Sequence, residues 1–123
     1  MRVRIDRELL SLILKNAGDM HPKEMLLLLR GKSKRGVVEL TEFLFPPFVT
    51  RGRDFAGFPL HALPLDPSIM GSVHSHPSGI LIPSAHDMNY TFGRLLMIVA
   101  YPYGETNIAV YAPNGEKLLL EVV

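Results

Sequence analysis

Apolar side chains recur along this chain with two periods, and each change of period marks a boundary between elements. Val3 and Ile5, separated by Arg4, alternate as in a short strand, Val3–Ile5. Asp6 suits a helix N-cap, and Leu9, Leu10, Ile13, Leu14 and Ala17 follow at helical spacing. That predicts a helix to about Ala17, with Gly18 as its stop. After His21-Pro22-Lys23, the run Glu24–Arg30 is apolar on both strand faces, as in a central strand covered on each side. Val37–Val49 is a second strand region, broken at Pro46-Pro47. Residues 50–67 mix proline and glycine with charge and read as a loop-rich crossing, with one short strand around Gly57–His61.

Ile69–His76 reads as a strand, and Ser84–Gly93 as a helix with Pro83 before it and Ser84 as N-cap. Leu95–Tyr101 is again apolar on both faces. Asn107–Tyr111 and Lys117–Val122 flank Pro113-Asn114-Gly115, where Asn-Gly suits a type I′ hairpin turn. The order β-α-β-β-(β)-β-α-β-β-β predicts an α/β or α+β sandwich: a mixed, largely antiparallel sheet flanked by helices. Over 123 residues this is one domain, 1–123, with length enough for its own core.

Composition narrows the function. A hydrophobic share of 47% fits a globular chain, and no apolar run approaches the ~20 residues of a membrane span. The opening residues Met1–Asp6 lack the apolar core of a secretory signal, so the cytoplasm is the expected location and no membrane partner is expected. The absence of cysteine excludes a disulfide framework, a thiolate metal site and a cysteine nucleophile together. A net charge of +1 leaves no electrostatic footprint for nucleic acid. The densest basic stretch, Arg30–Gly36, reads as a solvated hairpin loop rather than a phosphate site.

The chemistry concentrates between residues 72 and 87. In a strand ending at Pro77, His74 and His76 face the same side with Ser72 beneath them, while Val73 and Ser75 face the other. The loop Ser78–Pro83 returns the chain so that Ser84 and Asp87, at i and i+3, share a face of a helix's first turn. Ser-x-x-Asp also resembles a capping box, and the two roles are compatible, because a helix N-terminus is a rigid place from which to aim a ligand. Two imidazoles and one carboxylate suit a catalytic zinc whose fourth position is left to water. His86 offers an all-histidine alternative to Asp87, but it points about 100° away and only Asp87 shares the face of Ser84. A hydrolytic zinc also needs a carboxylate to carry a proton. Glu24, at the mouth of an otherwise apolar strand, is the best candidate, whereas Glu8, Glu39 and Glu42 sit in amphipathic or edge contexts.

These residues resemble a known family, the JAMM (MPN-plus) metalloproteases. Its signature is an upstream glutamate, then His-x-His-Pro, six residues, Ser, two residues and Asp. Here it reads Glu24, His74-Ser75-His76-Pro77, Ser78–Pro83 and Ser84-Ala85-His86-Asp87. The likeness runs on through the helix-then-strand opening, the Tyr101-Pro102-Tyr103 strand end and the terminal hairpin, which look like the compact prokaryotic members. The resemblance implies an MPN/JAMM-like, cytidine-deaminase-like fold and one Zn2+ per chain held by His74, His76 and Asp87. It implies Glu24 as general base and then general acid, and Ser84 as donor to the developing oxyanion. The implied reaction is hydrolysis of the bond joining the C-terminal glycine of a ubiquitin-like modifier to a lysine. The chain lacks room for the insertions with which larger eukaryotic deubiquitinases grip ubiquitin, so an archaeal-type small modifier or a sulfur-carrier relative fits better. Two alternatives stand beside this: a peptidase trimming a sulfur carrier's C-terminus, and a non-catalytic MPN scaffold, which typically loses the histidines or the glutamate. In the apolar loop 79–82, Ile80 and Leu81 offer one wall for an extended Gly-Gly tail, or else pack as core. Arg51, Arg53 and Phe55–Leu60, with Phe58 among them, offer the other wall.

Overall fold

A computed structural model of the chain describes residues 1–46, 50–51, 56–57, 66–89 and 93–123. The elements run β1 (Arg2–Ile5), α1 (Arg7–Met20), β2 (Leu26–Lys34), β3 (Val37–Leu44), β4 (Thr50–Arg51), β5 (Ala56–Gly57), β6 (Ile69–His76), α2 (Ala85–Asn89), β7 (Leu95–Ala100), β8 (Ile108–Tyr111) and β9 (Lys117–Val122). Among the described residues, strands β4 and β5 pair only with each other. The other seven form one sheet in the order β1-β3-β2-β6-β7-β8-β9, and β9 returns to β1 in parallel register, from Arg2 opposite Leu119 to Ile5 opposite Val122.

The sheet is mixed, as expected, but it is not a sandwich sheet flanked by helices. The β1–β9 pairing closes it into a barrel, so none of its strands is left with an unpaired edge. Among the described residues, one long helix serves this barrel. The apolar stripe of α1 (Leu9, Leu10, Ile13, Leu14 and Ala17) shares a core with Val3, Ile5, Leu27, Leu29, Val38, Leu40, Val73, Met97, Val99 and Val110. A smaller core lies on the other face of β7 and β8, where Leu96, Ile98, Ala109 and Tyr111 are covered by Leu81 and Met88. Successive residues of β7 enter opposite cores, which explains why that strand is apolar on both faces.

Several boundaries differ from expectation for identifiable reasons. Asp6 caps α1 through its carboxylate, which accepts the N–H groups of Glu8 and Leu9 at 3.1 and 3.2 Å. The helix then passes through Gly18 to Met20, because a glycine costs a helix only about 1 kcal/mol and Met20 packs against the core. The stop comes at His21, whose extended backbone is what a following proline demands. The basic stretch is not a loop: β2 continues through it to Lys34, and the chain reverses in two residues, Arg35 (φ 53°) and Gly36 (φ 78°). Two consecutive positive φ values make this the type I′ turn. The expected I′ turn at Asn114-Gly115 is instead a three-residue loop in which only Gly115 has positive φ, at 89°. The Gly115 N–H bonds the Ala112 carbonyl at 2.9 Å, and Pro113 takes the turn position its fixed φ suits. Among the described residues, no helix is long and apolar enough to cross a membrane.

Candidate metal centre

Strand β6 is the middle strand of the seven in the order and is paired along both sides. Leu26 of β2 stands opposite His74, and His74 stands opposite Ile98 of β7. The two-residue period puts His74 and His76 on the face of Ile98 and sends Val73 into the larger core. His74 is fully buried and His76 nearly so. Glu24 lies two residues before Leu26, and this parity turns it to the same face. Its Oε1 lies 3.6 Å from His74 Nδ1.

Asp87 reaches the site from the first turn of α2. Ser84 Oγ accepts the Asp87 N–H at 3.0 Å, and Asp87 Oδ2 accepts the Ser84 N–H at 2.8 Å. This reciprocal capping box holds the carboxylate in place. The same Oδ2 is 2.8 Å from His76 Nε2, and Oδ1 is 3.3 Å from His74 Nδ1. On the far side of the His76 ring, Nδ1 is 2.7 Å from the Ile80 carbonyl. A carbonyl only accepts, so Nδ1 carries a proton and the tautomer is fixed with Nε2 turned toward Asp87.

The electrostatics follow from this geometry. Burial alone would raise the Asp87 pKa, but the His76 hydrogen bond, the His74 charge and the Ser84 N–H outweigh it and hold the carboxyl at about 2. Burial alone would lower the His76 pKa, but bonds to Asp87 and the Ile80 carbonyl, with the charges of Asp87 and Glu24, raise it above the usual imidazole value. His74 is different. Neither of its ring nitrogens makes a hydrogen bond, although the ring is wholly buried. Such a group is costly unless something else binds it. Donor atoms of Glu24, His74 and Asp87 lie within 4.8 Å of one another around it. A buried imidazole without a hydrogen bond, a second imidazole of fixed tautomer and two carboxylates form a donor set suited to Zn2+, with no thiolate required.

A cleft of about 610 Å³ opens onto this cluster, lined by Pro22, Glu24, His76, Pro77, Ile80, Ile82 and Ser84 among others. The structure thus brings Glu24, His74, His76, Ser84 and Asp87 together, and it leaves His86 half-buried on α2. The apolar loop divides its residues. Ile80 (56% exposed) and Ile82 (69%) face the cleft, whereas Leu81 packs into the smaller core and its carbonyl accepts the Tyr111 hydroxyl at 2.9 Å. Of the other proposed wall, Arg51 lies in β4, while Arg53, Phe55 and residues 58–60, Phe58 among them, lie outside the described residues. Sequence reasoning missed Ser75, whose Oγ accepts the Met25 N–H at 2.6 Å. A polar residue on the face of β6 that otherwise enters the core was the available signal. It also missed an aromatic group beside the cleft, in which His21 stacks on Tyr101 (ring centroids 4.8 Å) and its Nδ1 is 2.7 Å from the Tyr103 hydroxyl.

Comparison with known proteins agrees with this geometry. Residues 6–112 match the family described as prokaryotic homologs of the JAB domain. A probable metalloprotease of Haloferax volcanii is 31% identical, with 98% of this chain and 80% of that protein covered. The solved structure of a JAB1/MPN domain protein from Archaeoglobus fulgidus superposes with a TM-score of 0.72 at 34% identity, covering 99% of this chain and 98% of that one. A structure described as JAMM, a metalloprotease-like zinc site in the proteasome and signalosome, also gives 0.72 at 34% identity, covering 100% of this chain and 99% of that one. The chain belongs to this family, the compact prokaryotic JAMM/MPN proteins, and Zn2+ is its cofactor.

Proposed function

We propose that the chain is a zinc metallopeptidase that hydrolyses the bond after the C-terminal glycine of a ubiquitin-like modifier attached to a lysine. The observation that carries this reading is the convergence of Glu24, His74, His76 and Asp87, largely buried, beside an open cleft that Glu24 and His76 line. His74, His76 and Asp87 would hold the metal. When bound, Zn2+ supplies Lewis acidity: it polarises the scissile carbonyl and brings the acidity of water near neutral pH.

The chain's own residues do the rest. Glu24, nearly dry and beside His74, takes the proton of the attacking water and passes it to the departing amine. Ser84 accepts the Asp87 N–H through Oγ, which leaves its O–H to donate to the oxyanion developing in the cleft. The Ile80 carbonyl keeps the His76 ring oriented, and Pro22, Pro77 and Pro83 line the cleft with surface that gives up no N–H to competing water. Ile80 and Ile82 provide the apolar wall for an extended tail. The favoured substrate is a small modifier of archaeal type or a sulfur carrier.

The test compares the zinc-loaded protein on a lysine-linked conjugate and on a linear C-terminal extension of the same ubiquitin-like protein. Cleavage of the lysine-linked bond, abolished by Glu24→Ala while about one zinc per chain stays bound, is the expected result. Preference for the linear extension would make the protein a C-terminal trimming peptidase. Failure on both substrates with zinc bound would leave a non-catalytic scaffold.

A further inference from the structure

Ser75 stands where packing alone would favour valine. It lies on the core-facing side of β6 with Val73, its register neighbour on β7 is Val99, and it is wholly buried. A hydroxyl there costs about 1–3 kcal/mol unless it is bonded. The hydroxyl is bonded, and the same residue, Met25, also takes the Ser75 backbone N–H. Ser75 Oγ accepts the Met25 N–H at 2.6 Å, while the Ser75 N–H donates to the Met25 carbonyl at 2.9 Å. Met25 precedes the first residue of β2 and its side chain is also wholly buried, so both its backbone groups and its side chain are held. The next residue outward is Glu24, whose carboxylate must stand at a set distance from the metal centre.

We propose that Ser75 is a positioning residue: its hydroxyl, by holding the Met25 N–H, fixes the backbone from which Glu24 reaches the metal centre. The inference rests on the role of Glu24 proposed above. It also explains why a polar side chain is retained on an apolar face. The serine between the two histidines contributes nothing to the ligand set and acts on the opposite side of the strand.

The experiment compares wild type, Ser75→Ala, Ser75→Thr and Glu24→Gln, each loaded with zinc, by zinc affinity, by kcat and KM on one lysine-linked conjugate, and by amide exchange. Ser75→Ala should keep zinc affinity and KM within about twofold and lower kcat roughly 10- to 100-fold, as a small misplacement of a proton carrier does. Ser75→Thr, which keeps the hydroxyl, should recover most of that loss. The Met25 amide should exchange roughly 10-fold faster or more in Ser75→Ala, with Leu27 and Val73 unaltered. Wild-type kcat in Ser75→Ala beside an inert Glu24→Gln would overturn this inference alone. A Glu24→Gln variant as active as wild type would overturn the role of Glu24, and this inference with it. Should the alanine variant not fold, Ser75→Thr and Ser75→Val differ by the hydroxyl alone, and equal kcat values in that pair would overturn the proposal.

Discussion

The two faces of β6 run along one backbone and follow opposite rules. On one, Val73 joins α1 and β7 in the larger core, and the single polar side chain, Ser75, is fully engaged with Met25. On the other, His74 is buried with no hydrogen bond, and Asp87 and Glu24 crowd toward it. A protein interior tolerates such a group only where it serves something besides stability. The contrast separates the residues that build the barrel from those proposed to hold the metal, although they alternate one by one in sequence.

The sharpest way to break that contrast is Asp87→Ala. It removes the His76 partner, the capping-box acceptor and a carboxylate beside His74 at once. Turnover should fall by on the order of 1,000-fold or more, with zinc lost on dialysis, as metal analysis and a cleavage assay would check. Wild-type zinc content in this variant would remove Asp87 from the ligand set. On the core side, Met97→Ala should do the reverse. It should cost about 2–5 kcal/mol in denaturant unfolding while the folded fraction still binds zinc.

Acidity gives a third test. Asp87 has its folded pKa depressed to about 2, so its contribution is present above its unfolded value and is lost as pH falls through about 2. His76 has its folded pKa raised, so in the metal-free chain its contribution is complete below the ordinary imidazole pKa and is lost as pH rises through the folded value. Stripped of metal with a chelator, the chain should therefore lose stability on going from pH 6 to pH 9. The zinc-loaded chain should gain over the same range, because the metal competes with protons for the same nitrogen. Thermal unfolding at each pH reads both signs, and parallel curves would mean that His76 does not meet the metal. The smallest effect belongs to the rim. Ile82→Ala should leave stability within about 0.5 kcal/mol and raise KM severalfold.

Much of this was legible in local pattern. Ile69–His76 and Lys117–Val122 begin and end where the alternation of side chains places them, and the Asp6 cap is where its type predicts. His74, His76, Ser84 and Asp87 fall within 14 residues, so strand parity and one helical turn suffice to gather them. Distant pairings were not legible. Nothing in the alternation near residue 2 tells that strand to seek residue 119, which is why a closed barrel was read as an open layered sheet. Which residue of the apolar loop packs as core was not legible, because three apolar residues in a loop carry no period, and only the neighbouring Ile98 and Tyr111 decide that Leu81 turns inward. Glu24 stands out in the sequence through its odd position at a strand mouth. Its approach to His74 depends on a β2–β6 register that spans fifty residues of chain.

The bond from the Ile80 carbonyl to His76 Nδ1 ties the lip of the cleft to an imidazole of the metal cluster. A guest that draws Ile80 toward itself must therefore also tilt that ring, and thermodynamic reciprocity makes the influence run equally in both directions. Stripping the ion should loosen the guest by the same factor by which the guest tightens the ion, which makes calorimetry of an inert tail peptide, with and without zinc, a direct reading of how strongly the two are yoked.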